Sequence, residues 1–230
     1  MTHRSWPRAV VAGSAAATLL LSGCSVLQIR TAERESGPIR VGVEQQAGED
    51  PTGEPTEPTV PEGMETKLLN LGAECPVDLS FALGPDWFEG SGSPAFVVFT
   101  RGSSLTDSDA IIVSCSEAFN ESPQAVVDGK RQYTFSEQGS TVTAERTGNI
   151  GSGYYWSFQG VLGKTEIFAI NQEPTVMYGA RIGYQTNGRL VDIGIEMRAL
   201  QSDEAAAEDF KKMLPTLQID GESVPTPTFK

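Results

Sequence analysis

Histidine is almost absent from this sequence, since His3 is the only one among 230 residues. Catalytic triads and dyads built on histidine, histidine-ligated zinc or iron, and imidazole pH switches all need a histidine inside the folded protein. A single histidine near the N-terminus, in a segment that we predict is removed, serves none of them. The sequence therefore predicts a protein that is not an enzyme and that holds no metal ion and no cofactor.

Positive charge is also scarce. Seventeen lysines and arginines stand against thirty aspartates and glutamates, which gives a formal net charge of −13 at pH 7. A surface this acidic repels nucleic acids and anionic lipid headgroups. We therefore predict no nucleic-acid partner and no basic membrane-binding patch.

Long hydrophobic runs are rare, and one of them marks the N-terminus. Residues 9–21 are thirteen mostly apolar residues that follow Arg4 and Arg8, and the tetrapeptide Leu21-Ser22-Gly23-Cys24 closes the run. This length is typical of the central region of a signal peptide and is too short for a transmembrane helix. We predict that residues 1–23 are a signal peptide that is cleaved from the mature protein.

The tetrapeptide resembles the lipobox of bacterial lipoproteins, with leucine at −3, small residues at −2 and −1, and then cysteine. The resemblance implies that Cys24 becomes the new N-terminus and carries long-chain acyl groups such as palmitate on a diacylglycerol thioether. Two or three acyl chains anchor a protein stably. We therefore predict a protein held at the outer face of the cell membrane by Cys24. The alternative is an ordinary secretory signal followed by a chance cysteine.

Only two cysteines follow Cys24, which are too few for a four-cysteine metal site. Cys75 and Cys115 each lie on an alternating run, 75–83 and 111–115, and share the parity of its apolar residues. Both thiols should therefore point into one core. Because such a pair in an exported protein is most often joined, we predict a disulfide. The alternative is two buried free thiols.

Composition divides the rest of the chain into three parts. Residues 24–66 are acidic and rich in proline, glycine and threonine, so they cannot bury enough apolar surface to fold and are predicted to be a disordered tether. An extended tether of this size reaches on the order of 100 Å. Residues 67–222 are predicted to form one domain, and residues 223–230 a flexible tail.

Strands dominate the predicted domain. Alternating apolar patterns predict nine strands, at 77–83, 95–100, 110–116, 132–135, 142–147, 154–162, 165–170, 177–184 and 190–198. Asn187-Gly188 is typical of a type I′ turn and Gly163-Lys164 of a type II′ turn. The last five strands are therefore predicted to form an antiparallel meander.

Helices are few. Ser122 and Pro123 form an N-cap and first-turn pair that predicts a short helix ending at Gly129. A second helix is predicted to begin at Ser202, with its acidic residues first and its lysines last. Residues 65–71 are predicted to form a leading helix.

The order of these elements resembles the PsbP-like fold. The resemblance is carried by the strand Leu79-Ser80-Phe81-Ala82-Leu83, which leads into Gly84-Pro85-Asp86-Trp87, and by a closing helix followed by Leu214-Pro215-Thr216-Leu217-Gln218-Ile219. Among exported actinobacterial proteins, residues 65–222 are similar to the LpqN/LpqT-type lipoproteins. This implies an α+β fold, an antiparallel sheet with helices on both faces in an α/β/α sandwich, and a link to cell-wall lipid export. It implies no shared active site.

Four residues are predicted to form a surface for a ligand or partner. Trp87 and Phe88 follow a strand end and would line the mouth of a groove, and Gly151 and Gly153 would let another chain approach a loop closely. The alternative for Trp87 is a position beneath a helix at the edge of the sheet.

The sequence thus predicts a non-enzymatic, membrane-anchored lipoprotein of the cell envelope that binds a partner protein or an apolar envelope lipid. One alternative is a hydrolase with a carboxylate pair, which needs two acids about 5–9 Å apart. Acids near predicted strand ends that would serve are Asp78, Asp86, Glu89, Asp107 and Asp109. Another alternative is a structural or assembly factor without a small ligand.

Overall fold

The structure is a computed structural model that describes residues 59–101 and 109–230. The predicted signal peptide, Cys24, most of the predicted tether and Asp107 lie outside the described residues. Two α-helices and eleven strands occur in the described part. In chain order they are β1 (Glu65–Leu69), β2 (Leu79–Leu83), β3 (Phe88–Ser93), β4 (Phe96–Thr100), β5 (Ala110–Glu117), α1 (Pro123–Arg131), β6 (Thr141–Ile150), β7 (Gly153–Leu162), β8 (Thr175–Thr186), β9 (Arg189–Leu200), α2 (Glu204–Met213), β10 (Gln218–Ile219) and β11 (Glu222–Ser223).

The strands form two antiparallel sheets. The larger has seven strands in the order β3-β4-β5-β9-β8-β7-β6, and the smaller has four in the order β1-β2-β10-β11. Strands β6 to β9 are consecutive neighbours, so they form the predicted meander with four strands instead of five. The fold class is confirmed as α+β, with mostly antiparallel sheets and two helices.

The two faces of the larger sheet are covered differently. On one face, Val127 of α1 joins Trp156 and Phe158 of β7 in a small buried cluster. On the other face, Tyr155 belongs to the main core, in which α2 and the smaller sheet pack against the larger one. Alternate residues of β7 thus face α1 on one side of the sheet and α2 on the other, so helices cover both faces, as predicted. The smaller sheet lies on the same face as α2.

Both helices begin at side-chain caps. Ser122 Oγ accepts a hydrogen bond from the Ala125 N–H at 3.2 Å, and α1 continues past the predicted end at Gly129 to Arg131. Asp203 Oδ1 accepts one from the Ala206 N–H at 2.9 Å, and α2 begins at Glu204, two residues later than predicted. Such caps satisfy amide groups that have no partner within the helix.

Three predicted elements are wrong. Residues 132–135 form turns after α1, where Phe135 has a φ of 62° and packs its ring 5.5 Å from that of Phe158. Residues 165–170 form turns that lead into a 3₁₀ helix at Ile170–Gln172. The predicted helix at 65–71 is instead strand β1, because it pairs along its length with β2. Strand β1 begins two residues inside the segment predicted to be tether.

The two predicted hairpin turns have opposite outcomes. Asn187 and Gly188 have φ values of 50° and 74°, as a type I′ turn requires, and they join β8 to β9. Gly163 does not begin a hairpin. A Cβ added to it would lie 2.4 Å from the carbonyl oxygen of Gln138, so glycine is needed there for the close approach of another turn.

Both edge strands of the larger sheet are irregular. The pairing of β3 with β4 shifts register between Glu89 and Gly92, and that of β6 with β7 shifts between Val142 and Ala144. All six residues of β3 are exposed. Shifts of this kind are β-bulges, which bend an edge strand and interrupt its regular ladder.

Residues 223–230, predicted to be a flexible tail, pack against the larger sheet. Val224 is buried, and its N–H donates to the carbonyl oxygen of Leu217 at 2.9 Å. The Ser157 hydroxyl donates to the carbonyl oxygen of Pro225 at 2.7 Å, and Phe229 packs on Tyr178. The prediction is wrong because it considered only composition, whereas side chains of β7 and β8 hold this segment.

None of the helices in the described ranges is long and apolar enough to cross a membrane.

Candidate functional site

The predicted disulfide is present. Cys75 and Cys115 are bonded, with Cα atoms 5.7 Å apart, and both are buried. Cys115 lies on β5 of the larger sheet, and its N–H donates to the carbonyl oxygen of Ala95. Cys75 lies in the connection between β1 and β2. The bond therefore joins the smaller sheet to the middle of the larger one.

Trp87 does not line a groove mouth. It is only 4% exposed, and its ring centroid lies 5.4 Å from that of Phe210 in α2 and 5.8 Å from the Arg101 guanidinium carbon. Within residues 59–101 and 109–230, the indole N–H has no hydrogen-bond partner. The alternative interpretation, a tryptophan beneath a helix, is the correct one. The sequence around Trp87 is compatible with both a groove mouth and a position beneath a helix. The position of α2, which could not be read from this local sequence, shows that the second is correct.

Phe88 is separate from this core. It is 64% exposed at the start of β3, where it pairs with Thr100 of β4. Of the predicted pair, Phe88 is thus the residue that a partner can reach.

The predicted loop glycines, Gly151 and Gly153, are packed against other segments of the same chain. Gly151 has a φ of 48° in the turn between β6 and β7, and an added Cβ would lie 2.6 Å from Glu222 Oε1. A Cβ on Gly153 would lie 2.6 Å from the carbonyl oxygen of Gly183. Both glycines therefore allow close packing of internal segments. Their neighbours differ from those of Trp87, so the four predicted residues do not form one surface.

The predicted carboxylates are scattered. The Asp78 N–H bonds to Asp220, Asp86 is exposed, and Glu89 forms an ion pair with Lys67 at 2.7 Å. Of the four predicted acids that the structure describes, Asp109 is the one whose carboxyl group meets another, that of Asp203, which sequence analysis did not single out.

Asp109, Asp203 and Arg101 form a cluster where β4 ends, β5 begins and α2 begins. The Arg101 guanidinium lies 3.8 Å from a carboxylate oxygen of each aspartate. Burial, together with the negative charge of Asp203, raises the pKa of Asp109 to about 6. The Ala206 backbone N–H holds the pKa of Asp203 below its usual value. The hydrogen bond between the two carboxyl groups is thus donated by Asp109 when protonated.

This cluster predicts a specific pH dependence of stability. The folded pKa of Asp109 is above its unfolded value of 3.8, so its stabilising contribution is present below about pH 4 and lost as the pH rises through about 6. We expect Asp109→Asn to melt roughly 2–4 °C higher than the wild type at pH 8, about 1 kcal/mol for a domain of this size. The difference should vanish near pH 4.

Thermal melts across this pH range are the measurement. Asp86→Asn, which changes an exposed carboxylate, is the matched control and should follow the wild type at every pH. Parallel curves for wild type and Asp109→Asn would contradict the assignment of the shift to this cluster.

A cleft of about 660 Å³ lies between β1 and β3. These are terminal strands of the two sheets, so each pairs on one side only within the described residues. The Lys67–Glu89 ion pair connects the two strands, and Leu68, 76% exposed, lies beside it. Terminal strands present unpaired backbone groups that another strand can pair with. This cleft, missed at the sequence level because β1 was predicted to be helical, is the candidate partner surface.

No group of three or more histidine, cysteine or acidic side chains that would hold a metal ion occurs in residues 59–101 and 109–230.

The sequence matches no protein-family model and no curated protein. Among solved structures, the chain is similar to LpqN, involved in cell envelope biogenesis of Mycobacterium tuberculosis, with a TM-score of 0.47 and 15% identity over 68% of this chain and 91% of that one. It is also similar to the Ran-binding protein Mog1p of Saccharomyces cerevisiae, with a TM-score of 0.40 and 15% identity over 66% and 86% of the two chains. The likeness is one of fold alone, and the assignment to LpqN/LpqT-type lipoproteins stays a prediction.

Proposed function

We propose that this protein is a lipoprotein at the outer face of the cell membrane and that it acts by binding a partner protein of the cell envelope. The tetrapeptide Leu21-Ser22-Gly23-Cys24 after a short apolar run is the observation that carries the location. The disulfide supports it independently, because disulfides form and persist in oxidising compartments outside the cytoplasm.

Binding is favoured over turnover by the chemistry of the described domain. No histidine follows His3. Asp109 and Asp203, the acids that meet, are in hydrogen-bond contact. A glycosidase pair needs about 5–9 Å between its carboxyl groups to accommodate the substrate. Asp203 caps the start of α2, and Asp109 contacts it directly, which leaves no space for a substrate between the two carboxyl groups. The hydrolase alternative is therefore weaker.

A protein partner is favoured over an apolar lipid. The space between the two sheets is filled by one cluster of buried side chains that extends from Leu69 to Val224. A lipid carrier needs an apolar cavity in which to hold its cargo. The cleft between β1 and β3, in contrast, offers two strand edges, and strand edges recognise extended polypeptide by backbone hydrogen bonds.

The location is tested by Cys24→Ala. Because acylation needs this thiol, we expect the variant either to be released from the membrane fraction or to accumulate as uncleaved precursor. Ser25→Ala, at the next position, is the matched control and should stay in the membrane fraction. A Cys24→Ala protein that is cleaved and still membrane-bound would contradict the acyl anchor.

The same cells test binding. Treatment with an amine-reactive crosslinker is expected to give a discrete adduct between the wild-type protein and another envelope protein. That adduct should be lost from the released Cys24→Ala protein. If wild-type cells yield no adduct and the purified protein hydrolyses envelope glycans, the hydrolase alternative replaces this proposal.

A further inference from the structure

Two polar side chains lie on the core-facing side of β7. Ser157 is fully buried and Gln159 is 9% exposed, on the same face as Tyr155 of the main core. The backbone of β7 already pairs with β6 and β8. Because buried polar groups are rarely left without hydrogen bonds, these side chains need partners from another segment. Their partners are in residues 224–230, hereafter the tail.

Gln159 holds the backbone of the tail at Lys230. The Lys230 N–H donates to Gln159 Oε1 at 2.8 Å, and Gln159 Nε2 donates to the Lys230 carbonyl oxygen at 3.1 Å and to the Tyr178 hydroxyl at 3.1 Å. These two hydrogen bonds join Gln159 to the main-chain N–H and main-chain oxygen of one residue and involve no side-chain atom of Lys230. The contact therefore suits an extended peptide with any residue at this position.

The tail has the composition of a proline-rich ligand. Pro225 and Pro227 have no N–H, so this stretch cannot pair as a regular strand and favours an extended conformation. The ring of Phe229 meets that of Tyr178 edge-on, with centroids 5.4 Å apart. Grooves that bind proline-rich peptides use aromatic side chains in this way.

The groove continues beyond these contacts. A cleft of about 420 Å³ adjoins Lys230 and is lined on one side by Glu204 and Glu208 of α2. It has room for further residues of a longer peptide. Lys211 lines the same cleft and pairs with Glu208 at 2.8 Å, so Glu204 is the acid that favours a basic residue next to the aromatic one.

We propose that the groove formed by Ser157, Gln159, Tyr178 and α2 is a docking site for an extended peptide of a partner protein that carries prolines followed by an aromatic residue. The tail is its resident occupant, and a partner peptide binds by displacing it. The inference names partner chemistry for the proposed binding role, at a surface separate from the β1–β3 cleft. Its assay needs no membrane, so its failure would leave the proposed anchor untouched.

The experiment uses the full chain with Phe229→Asp, which places a charge against Tyr178 and releases the tail while leaving the groove intact. The probe is a fluorescently labelled synthetic peptide with the sequence of residues 224–230, followed by fluorescence anisotropy. A tail held in the same chain competes at an effective concentration on the order of millimolar. We therefore expect the peptide to bind Phe229→Asp at least about tenfold more tightly than the wild type.

Two further variants test the assigned contacts. Adding Gln159→Ala to Phe229→Asp removes two hydrogen bonds and should weaken peptide binding by about tenfold or more. Gln185→Ala, which truncates an exposed glutamine of β8, is the matched control and should change nothing. A peptide in which alanine replaces the aromatic residue should also bind at least about tenfold more weakly, because it loses the Tyr178 contact.

Melting curves confirm that each variant is folded. Failure of the peptide to bind folded Phe229→Asp would overturn the proposal, and so would binding unaffected by Gln159→Ala. Concentration-dependent dimers of the wild type that disappear in Phe229→Asp would overturn it in favour of tail exchange between two copies. If Phe229→Asp does not fold, the same titration on Phe229→Ala decides, since alanine removes the ring without adding charge.

Discussion

Replacement of both Cys75 and Cys115 by alanine is expected to reduce the free energy of unfolding by about 4 kcal/mol. The bond closes a loop with a sequence separation of 40, and in the chain-entropy model a loop of this size restricts the unfolded chain by about that amount. The melting temperature should fall on the order of 10 °C for a domain of this size. Denaturant titration and thermal melts of the double variant measure both quantities.

Reduction of the wild-type protein supplies the control. A thiol reductant should lower the melting temperature of the wild type to near that of the double variant and should leave the variant unchanged. Equal stability of oxidised wild type and double variant would mean that the two sheets need no covalent connection.

Phe210→Ala is expected to have a similar effect, about 3–5 kcal/mol of the free energy of unfolding, which is typical for removal of a buried phenylalanine ring. The Phe210 ring is completely buried and lies 5.4 Å from Trp87 and 5.8 Å from Tyr178, measured between centroids. Its removal leaves a cavity between α2 and the larger sheet. Urea denaturation gives the value directly.

Phe119→Ala is the matched control because Phe119 is 92% exposed. Its effect should stay within about 0.5 kcal/mol, as for most surface substitutions. A decrease of less than about 1 kcal/mol in the free energy of unfolding of Phe210→Ala would contradict this prediction. It would indicate that α2 moves to fill the cavity and is not held firmly on the sheet.

Residues that local patterns determine were predictable from the sequence. The parity of Cys75 and Cys115 on their alternating runs anticipated the disulfide. The Asn187-Gly188 turn and the cap at Ser122 depend on neighbours in the chain, and both are present. The division of β7 into Trp156 and Phe158 on one face and Tyr155 on the other follows from its period of two residues.

Contacts between distant segments were not predictable. Residues 65–71 become a strand only because β2 pairs with them, and a single short apolar run does not reveal that neighbour. Phe135 resembles a strand residue but packs on Phe158 from a turn. Composition describes residues 223–230 as a free tail, whereas contacts with Ser157, Gln159 and Tyr178, far away in the sequence, hold them on the sheet.

The irregular edges of the larger sheet affect how neighbouring copies of the protein would associate on a membrane. Under the proposed acyl anchor, many copies share one membrane plane, where regular exposed edges would let neighbouring sheets join into larger aggregates. The register shifts in β3 and β6 interrupt both edges, and exposed charges at Glu145 and Arg146 add repulsion and hydration to the second. Such interruptions disfavour the joining of two long sheet edges, whereas a short partner segment in the β1–β3 cleft needs only a few unpaired backbone groups of β3.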